Sequence, residues 1–177
     1  MTTIIAVKTD KGITFGADSR TTTGGRPIRD STSKIFTNDG ITFAGSGSAR
    51  VCDVVRFMDI PARRTYEPEW SLDHWIHRTF VPAIRNALTE EQCVPVVDSE
   101  VSTESLLLFS VEGRLFELHS DLAILENFDG VFARGSGGAF ALGALSAGAS
   151  VEDALRIAAT HDIYSGEPFD IVELNNA

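Results

Sequence analysis

Residues 2–20 read TTIIAVKTDKGITFGADSR, and the organisation of the whole chain follows from them. The run TIIAVKT (3–9) is β-branched and apolar, and ITFGADS (13–19) opens in the same way. Between them stands Asp10-Lys11-Gly12, a turn tripeptide of the kind that joins two antiparallel strands. A hairpin is therefore predicted from the second or third residue onward. Chain termini are poorly ordered unless something ties them down. A strand that starts this early makes the terminus either the tidy edge of a sheet or a functional group in its own right.

Working outward, KIFTN (34–38) and ITFAGSG (41–47) flank Asp39-Gly40 and predict a second hairpin. From about Ser48 to Leu88 the period changes. Val51, Val54, Val55 and Met58 recur at helical spacing, as do Leu72, Trp75, Ile76, Phe80, Ile84 and Leu88. Pro82 falls inside the second helix and predicts a kink or break there. IPARRTYEPEW (60–70) reads as a connector. Strands return from Thr103 to Val131, with Glu112-Gly113 as a turn. Helices are predicted over about 138–147 and from Ser150, an N-cap with Asp153 placed for a capping box. FDIVEL (169–174) closes the chain as a strand. Hairpins followed by helix pairs do not suit a parallel doubly wound sheet. They predict an α+β chain of one domain over residues 1–177, with two sheets packed together and helices on both outer faces.

Composition bounds the function. The 177 residues carry a net charge of −10 with a pI near 4.8, which excludes a phosphate-binding basic surface and hence nucleic acid. No apolar run approaches the ~20 residues of a membrane span. No basic segment followed by a long apolar one opens the chain, so a cytoplasmic protein without a leader is expected. Cys52 and Cys93 are too few for a disulfide framework and lack metal-ligand spacing, so no metal and no cofactor is expected.

Five short stretches carry the chemistry: Thr2-Thr3, GADSR (16–20), STSKI (31–35), GSGG (135–138) and HDIYSGEPFD (161–170). The GSGG stretch, after a strand and before a helix, has the form of an anion-binding loop. It lacks the lysine of a phosphate-binding loop, a βαβ unit and an acidic ribose partner. Taken together, TTIIAVKTDKGITFGADSRTT, Lys34, FAGSGSA, RGSGGAFALGAL and DIYSGEPFDIVEL resemble the proteasome β-subunits and their bacterial relative HslV, over essentially the whole chain.

That resemblance implies a four-layer αββα sandwich of the N-terminal nucleophile hydrolase type. It implies a threonine endopeptidase that acts on unfolded polypeptides within stacked homo-oligomeric rings, hexameric or heptameric. It also brings in an unfoldase ATPase or α-type subunits as possible partners. Position by position, Thr2 matches the nucleophile, exposed by removal of Met1, and Asp18 and Lys34 match its charged partners. Ser136 matches the serine near the terminal amine, and Asp162 with Ser165 the last pair of the site. Gly45 matches the glycine whose N–H serves the oxyanion, with Gly47 as a rival. Arg20 matches the arginine that follows the Asp. Thr21, Thr32, Phe36 and Phe43, flanking the lysine and the glycine, are placed in the substrate pocket. They predict a preference for apolar residues before the scissile bond.

These residue types suit that chemistry. A threonine hydroxyl needs a base to become a nucleophile. A free α-amine titrates near ~7.7–8.0, far below a lysine, and so serves as a base near neutrality. Nucleophile and base then sit on one residue. None of His74, His77, His119 and His161 stands in a serine-hydrolase motif. With Met1 attached, the Thr2 nitrogen is an amide and has no basicity. Two other readings compete: an inactive structural ring subunit, and a nucleotide-binding module built on GSGG.

Overall fold

The computed structural model describes residues 2–63, 71–93, 96–97 and 100–176. The amino-terminal half contains six strands: β1 (Thr3–Thr9), β2 (Gly12–Asp18), β3 (Arg20–Thr23), β4 (Arg26–Arg29), β5 (Ile35–Asn38) and β6 (Ile41–Ser46). Helix α1 (Ala49–Phe57) follows. A second helical segment runs through α2 (Leu72–Trp75), a π-helical turn (Ile76–Phe80) and α3 (Val81–Glu90). Strands β7 (Val96–Val97) and β8 (Glu100–Val101) form a small ribbon. Then come β9 (Leu106–Val111), β10 (Arg114–Leu118), β11 (Ile124–Leu125), β12 (Val131–Gly135), α4 (Gly138–Ser146), α5 (Val151–His161) and β13 (Phe169–Asn175). Residues 64–70 of the expected connector, and Met1, lie outside the described residues.

Two antiparallel sheets face each other, in the orders β12-β1-β2-β13 and β11-β10-β9-β6-β5. Strand periodicity assigns each side chain to a layer, because successive residues point to opposite faces. Ile4, Ala6, Phe15 and Ala17 meet Ala44, Leu108, Leu115 and Phe132 between the sheets. From the other face of the first sheet, Ile5 and Ala133 pack on Ala141, Ala144, Ala154, Leu155 and Ala158 of α4 and α5. From the other face of the second sheet, Phe43, Phe109 and Phe116 meet α1, Trp75, Phe80, Ile84 and Leu88. The result is the four-layer αββα sandwich that the pattern of hairpins and helix pairs predicts.

Pro82 has the expected effect by a specific route. It offers no N–H to close an ordinary helical turn. The chain widens just before it, and the Val81 N–H bonds to Ile76 O across the π-turn. The widened turn leaves Trp75 stacked on Phe80 at 5.0 Å, with the indole N–H donating to Pro61 O at 3.2 Å. The β3–β4 hairpin is not foreseen from the sequence. Its signal is Gly24-Gly25, both at positive φ, between RTTT and RPIR.

Candidate active site

Strands β1 and β2 pair so that Ile4 lies opposite Ala17, which brings the amino terminus beside the end of β2. Asp18, fully buried there, collects four donors. Its Oδ1 accepts from the Thr3 N–H at 2.9 Å and from Lys34 Nζ at 2.7 Å. Its Oδ2 accepts from the N–H groups of Arg20 at 3.1 Å and Gly166 at 3.0 Å. A buried carboxylate with every acceptor position occupied tolerates the charge that an unpaired one would not. Asp18 therefore joins the amino terminus, the lysine strand and the loop after α5.

Lys34 donates a second hydrogen bond to Arg20 O at 2.8 Å. An ammonium has three protons, and among the described residues none takes the third. Burial holds this ammonium below the ordinary lysine value, with Asp18 pulling the other way. Lys34 and Thr2 line one cavity of about 330 Å³, with Gly45, Gly47, Cys52 and the β3 threonines among its walls. The Thr2 hydroxyl makes no hydrogen bond to any described residue.

The other side of Thr2 is held by a hydroxyl–carboxylate relay. The Thr2 nitrogen lies 3.2 Å from Ser136 Oγ, which donates to Asp162 Oδ2 at 2.7 Å. Ser165 Oγ donates to the same oxygen at 2.6 Å, and Thr3 Oγ1 meets Ser165 Oγ at 2.6 Å. Burial pushes the Asp162 carboxyl up, but these two hydroxyls and the Tyr164 N–H outweigh it and hold it below the ordinary value. Thr3 is missed by the motif reading, although it is the second letter of the opening TT. Fully buried, it ties both its N–H and its hydroxyl into the site.

The glycines of GSGG have a packing reason that leaves no phosphate cradle. A Cβ on Gly135 would stand 2.0 Å from Thr2 O, and one on Gly137 would stand 2.1 Å from Thr3 Oγ1. The loop is filled by the chain's own first strand.

Several expected site residues need correction. Gly45 donates its N–H to Lys34 O at 3.0 Å as part of the β5–β6 ladder, so it has none to offer an oxyanion. Gly47 is the better candidate, because its N–H meets no described partner. It sits at φ +114°, with Glu104 O only 2.4 Å from a built Cβ, so only glycine fits. Phe36 and Phe43 stack on each other at 5.2 Å in the core under the helices and do not line the cavity. They stand two positions along from Lys34 and Gly45, so strand alternation does not separate them from the cavity, and packing beneath the helices does. Arg20 turns its guanidinium outward to Ile163 O at 2.9 Å and enters the site only through its backbone. Thr21, Thr32 and Gly47 do line the cavity. Cys52 lines it too; burial, then the Asp53 carboxylate, push its thiol up to about 11, so it is no competing nucleophile near neutrality.

No family model and no curated protein matches the chain. Solved structures do. Thiobacillus denitrificans BPH superposes with a TM-score of 0.75 at 23% identity, covering 98% of this chain and 97% of that one. HslV from Trypanosoma brucei gives 0.66 at 22%, covering 98% and 99%. Anbu from Hyphomicrobium sp. strain MC1 gives 0.70 at 17%, covering 99% and 83%. This chain shares the fold of these structures, a four-layer αββα sandwich. At these identities the likeness concerns the fold, and the site geometry has to carry the chemistry.

Proposed function

We propose that the protein is a threonine endopeptidase in which Thr2, freed by removal of Met1, is both nucleophile and base. One observation carries this reading: the unbonded hydroxyl of Thr2 shares a cavity with the Asp18-held ammonium of Lys34, while its nitrogen sits on the Ser136–Asp162 relay. In the reaction, Thr2 Oγ attacks the scissile carbonyl and its proton passes to the α-amine. Lys34 stabilises the developing alkoxide by its charge. The carbonyl oxygen gains negative charge and receives the Gly47 N–H. The α-ammonium then protonates the leaving amine, which departs with the carboxyl-side fragment. Water hydrolyses the remaining ester and regenerates both hydroxyl and amine. Ser136, held by Asp162, keeps the amine oriented throughout.

By the same reading the subunits assemble into stacked rings, act on unfolded polypeptide and depend on an unfoldase for folded substrates. Supporting it, Thiobacillus denitrificans BPH, of the same fold, was also solved in complex with epoxomicin. The test compares hydrolysis of fluorogenic peptides by protein with Met1 removed, protein with Met1 retained, and Thr2→Ala, together with epoxomicin adduct formation by intact mass. Hydrolysis and adduct are expected only in the processed wild-type protein. Equal activity of the Met1-retaining form would overturn the assignment. Assembly without activity would leave a structural ring subunit.

A further inference from the structure

The cavity beside Thr2 is not the apolar pocket that the flanking phenylalanines suggest. Besides Gly45 and Gly47, the residues that line it include Thr21, Thr32, Asp30 and Asp53, polar or acidic in every case. Gly45 lines it with backbone alone, because Cys52 Sγ fills the space that a Cβ would take, 2.3 Å away. A side chain one bond from the carbonyl under attack has to enter this same cavity, because Thr2 and Gly47 fix where that carbonyl sits.

The charges around it do not cancel. Lys34 is neutralised by Asp18 at 2.7 Å. Arg56 donates to Ser33 O at 2.7 Å and stacks on the Phe36 ring at 4.4 Å, which commits its guanidinium to the wall. Asp30 accepts from the Thr32 N–H at 2.9 Å and meets no cation in an ion pair among the described residues. Asp53 makes no hydrogen bond or ion pair with any described residue. Two carboxylates against one committed cation leave a net negative pocket whose Asp53 is unpartnered.

We propose that this pocket selects a basic residue, Lys or Arg, immediately before the scissile bond, with Asp53 as the specificity-determining group and Asp30 supporting it. A long side chain with a cationic tip can cross the cavity from Thr2, and its charge meets the free carboxylate. An apolar side chain would strip water from Asp53 and give nothing back. The inference rests on the peptidase reading, and the experiment separates the two.

Processed protein is assayed for kcat/KM on three fluorogenic tripeptides that differ only in carrying Arg, Leu or Glu before the reporter amide. The Arg substrate is expected to exceed the Leu substrate by on the order of tenfold or more, with the Glu substrate the poorest. Asp53→Asn should collapse the Arg-over-Leu ratio toward one, and Asp53→Glu should keep it. Turnover that favours Leu, or an Arg preference unchanged in Asp53→Asn, overturns the pocket assignment alone. Absence of turnover on all three peptides overturns the peptidase reading and this inference with it.

Discussion

At the scale of single residues, Lys34 shows how a side chain is tuned by what is withheld from it. Asp18 and Arg20 O satisfy two of its protons, and the third, without a described partner, belongs to a group that lines the same cavity as Thr2. Lys34→Ala should lower kcat/KM by about 10³-fold, the range for losing a key electrostatic group. Lys34→Arg should not restore it, because a planar guanidinium cannot occupy a compact ammonium's site; steady-state kinetics on one peptide checks both. Gly45 and Gly47 make a second pair. Gly47→Ala should cost activity by roughly 10²–10³-fold by displacing the oxyanion N–H. It should also lower the melting temperature, because its Cβ would stand 2.4 Å from Glu104 O at φ +114°. Gly45→Ala should lower the melting temperature too, and there Cys52→Ala should relieve it by removing the sulfur in the way. Asp162 yields a pH prediction. Its carboxyl titrates lower in the fold than in the unfolded chain. It therefore stabilises the protein above the ordinary value, and that stability drains away as pH falls through its folded value. Denaturant midpoints taken from about pH 7 to about pH 2 should fall less steeply at the acid end in Asp162→Asn than in wild type.

At the scale of elements, two helices illustrate local chemistry meeting packing. Ser150 caps α5 as expected, accepting from the Asp153 N–H at 3.1 Å. The Asp153 carboxylate turns to the Ser150 hydroxyl at 2.8 Å, where a full capping box would take the Ser150 N–H. Ser150→Ala should therefore cost about 1 kcal/mol of stability, read from denaturant unfolding, with site chemistry unaffected. In the second helical segment, proline fixes where the break falls, and packing fixes its form. The aromatic stack of Trp75, Phe80 and Phe43 selects a π-turn over a sharp kink.

At the scale of the whole molecule, large apolar side chains stand out on the surface. Phe57 and Ile163 are about three-quarters exposed (79% and 75%), and Phe140, Leu142 and Ile157 are exposed on the face of α4 and α5 that turns away from the sheet. Helices in that outer position cover the sandwich on one side and offer apolar surface on the other. The ring assembly proposed above would cover it. Native mass spectrometry should give a species at a multiple of the 19.1 kDa chain mass, with Phe57→Asp or Ile163→Asp shifting it toward smaller forms. A lone 19 kDa species under conditions that support peptide hydrolysis would refute the assembly.

The sequence by itself determined the architecture and most of the candidate site. Strand and helix periods are written in local side-chain order, so Thr3–Thr9, Gly12–Asp18 and the helices at Gly138 and Ser150 could be placed directly. Thr2, Asp18, Lys34, Ser136, Asp162 and Ser165, scattered over the chain, do meet around the first strand. What only the tertiary structure decided is where each backbone N–H and each side chain ended up. Phe36 and Phe43 stand two positions from Lys34 and Gly45 and share their strand face, yet packing beneath the helices puts them in the core. Gly45 gives its N–H to Lys34 O, and that of Gly47 meets no described partner. The pocket's acidic wall was hidden for the same reason. Asp30 and Asp53 stand 23 positions apart on a loop and a helix, and no local pattern shows that they border one cavity with Thr2.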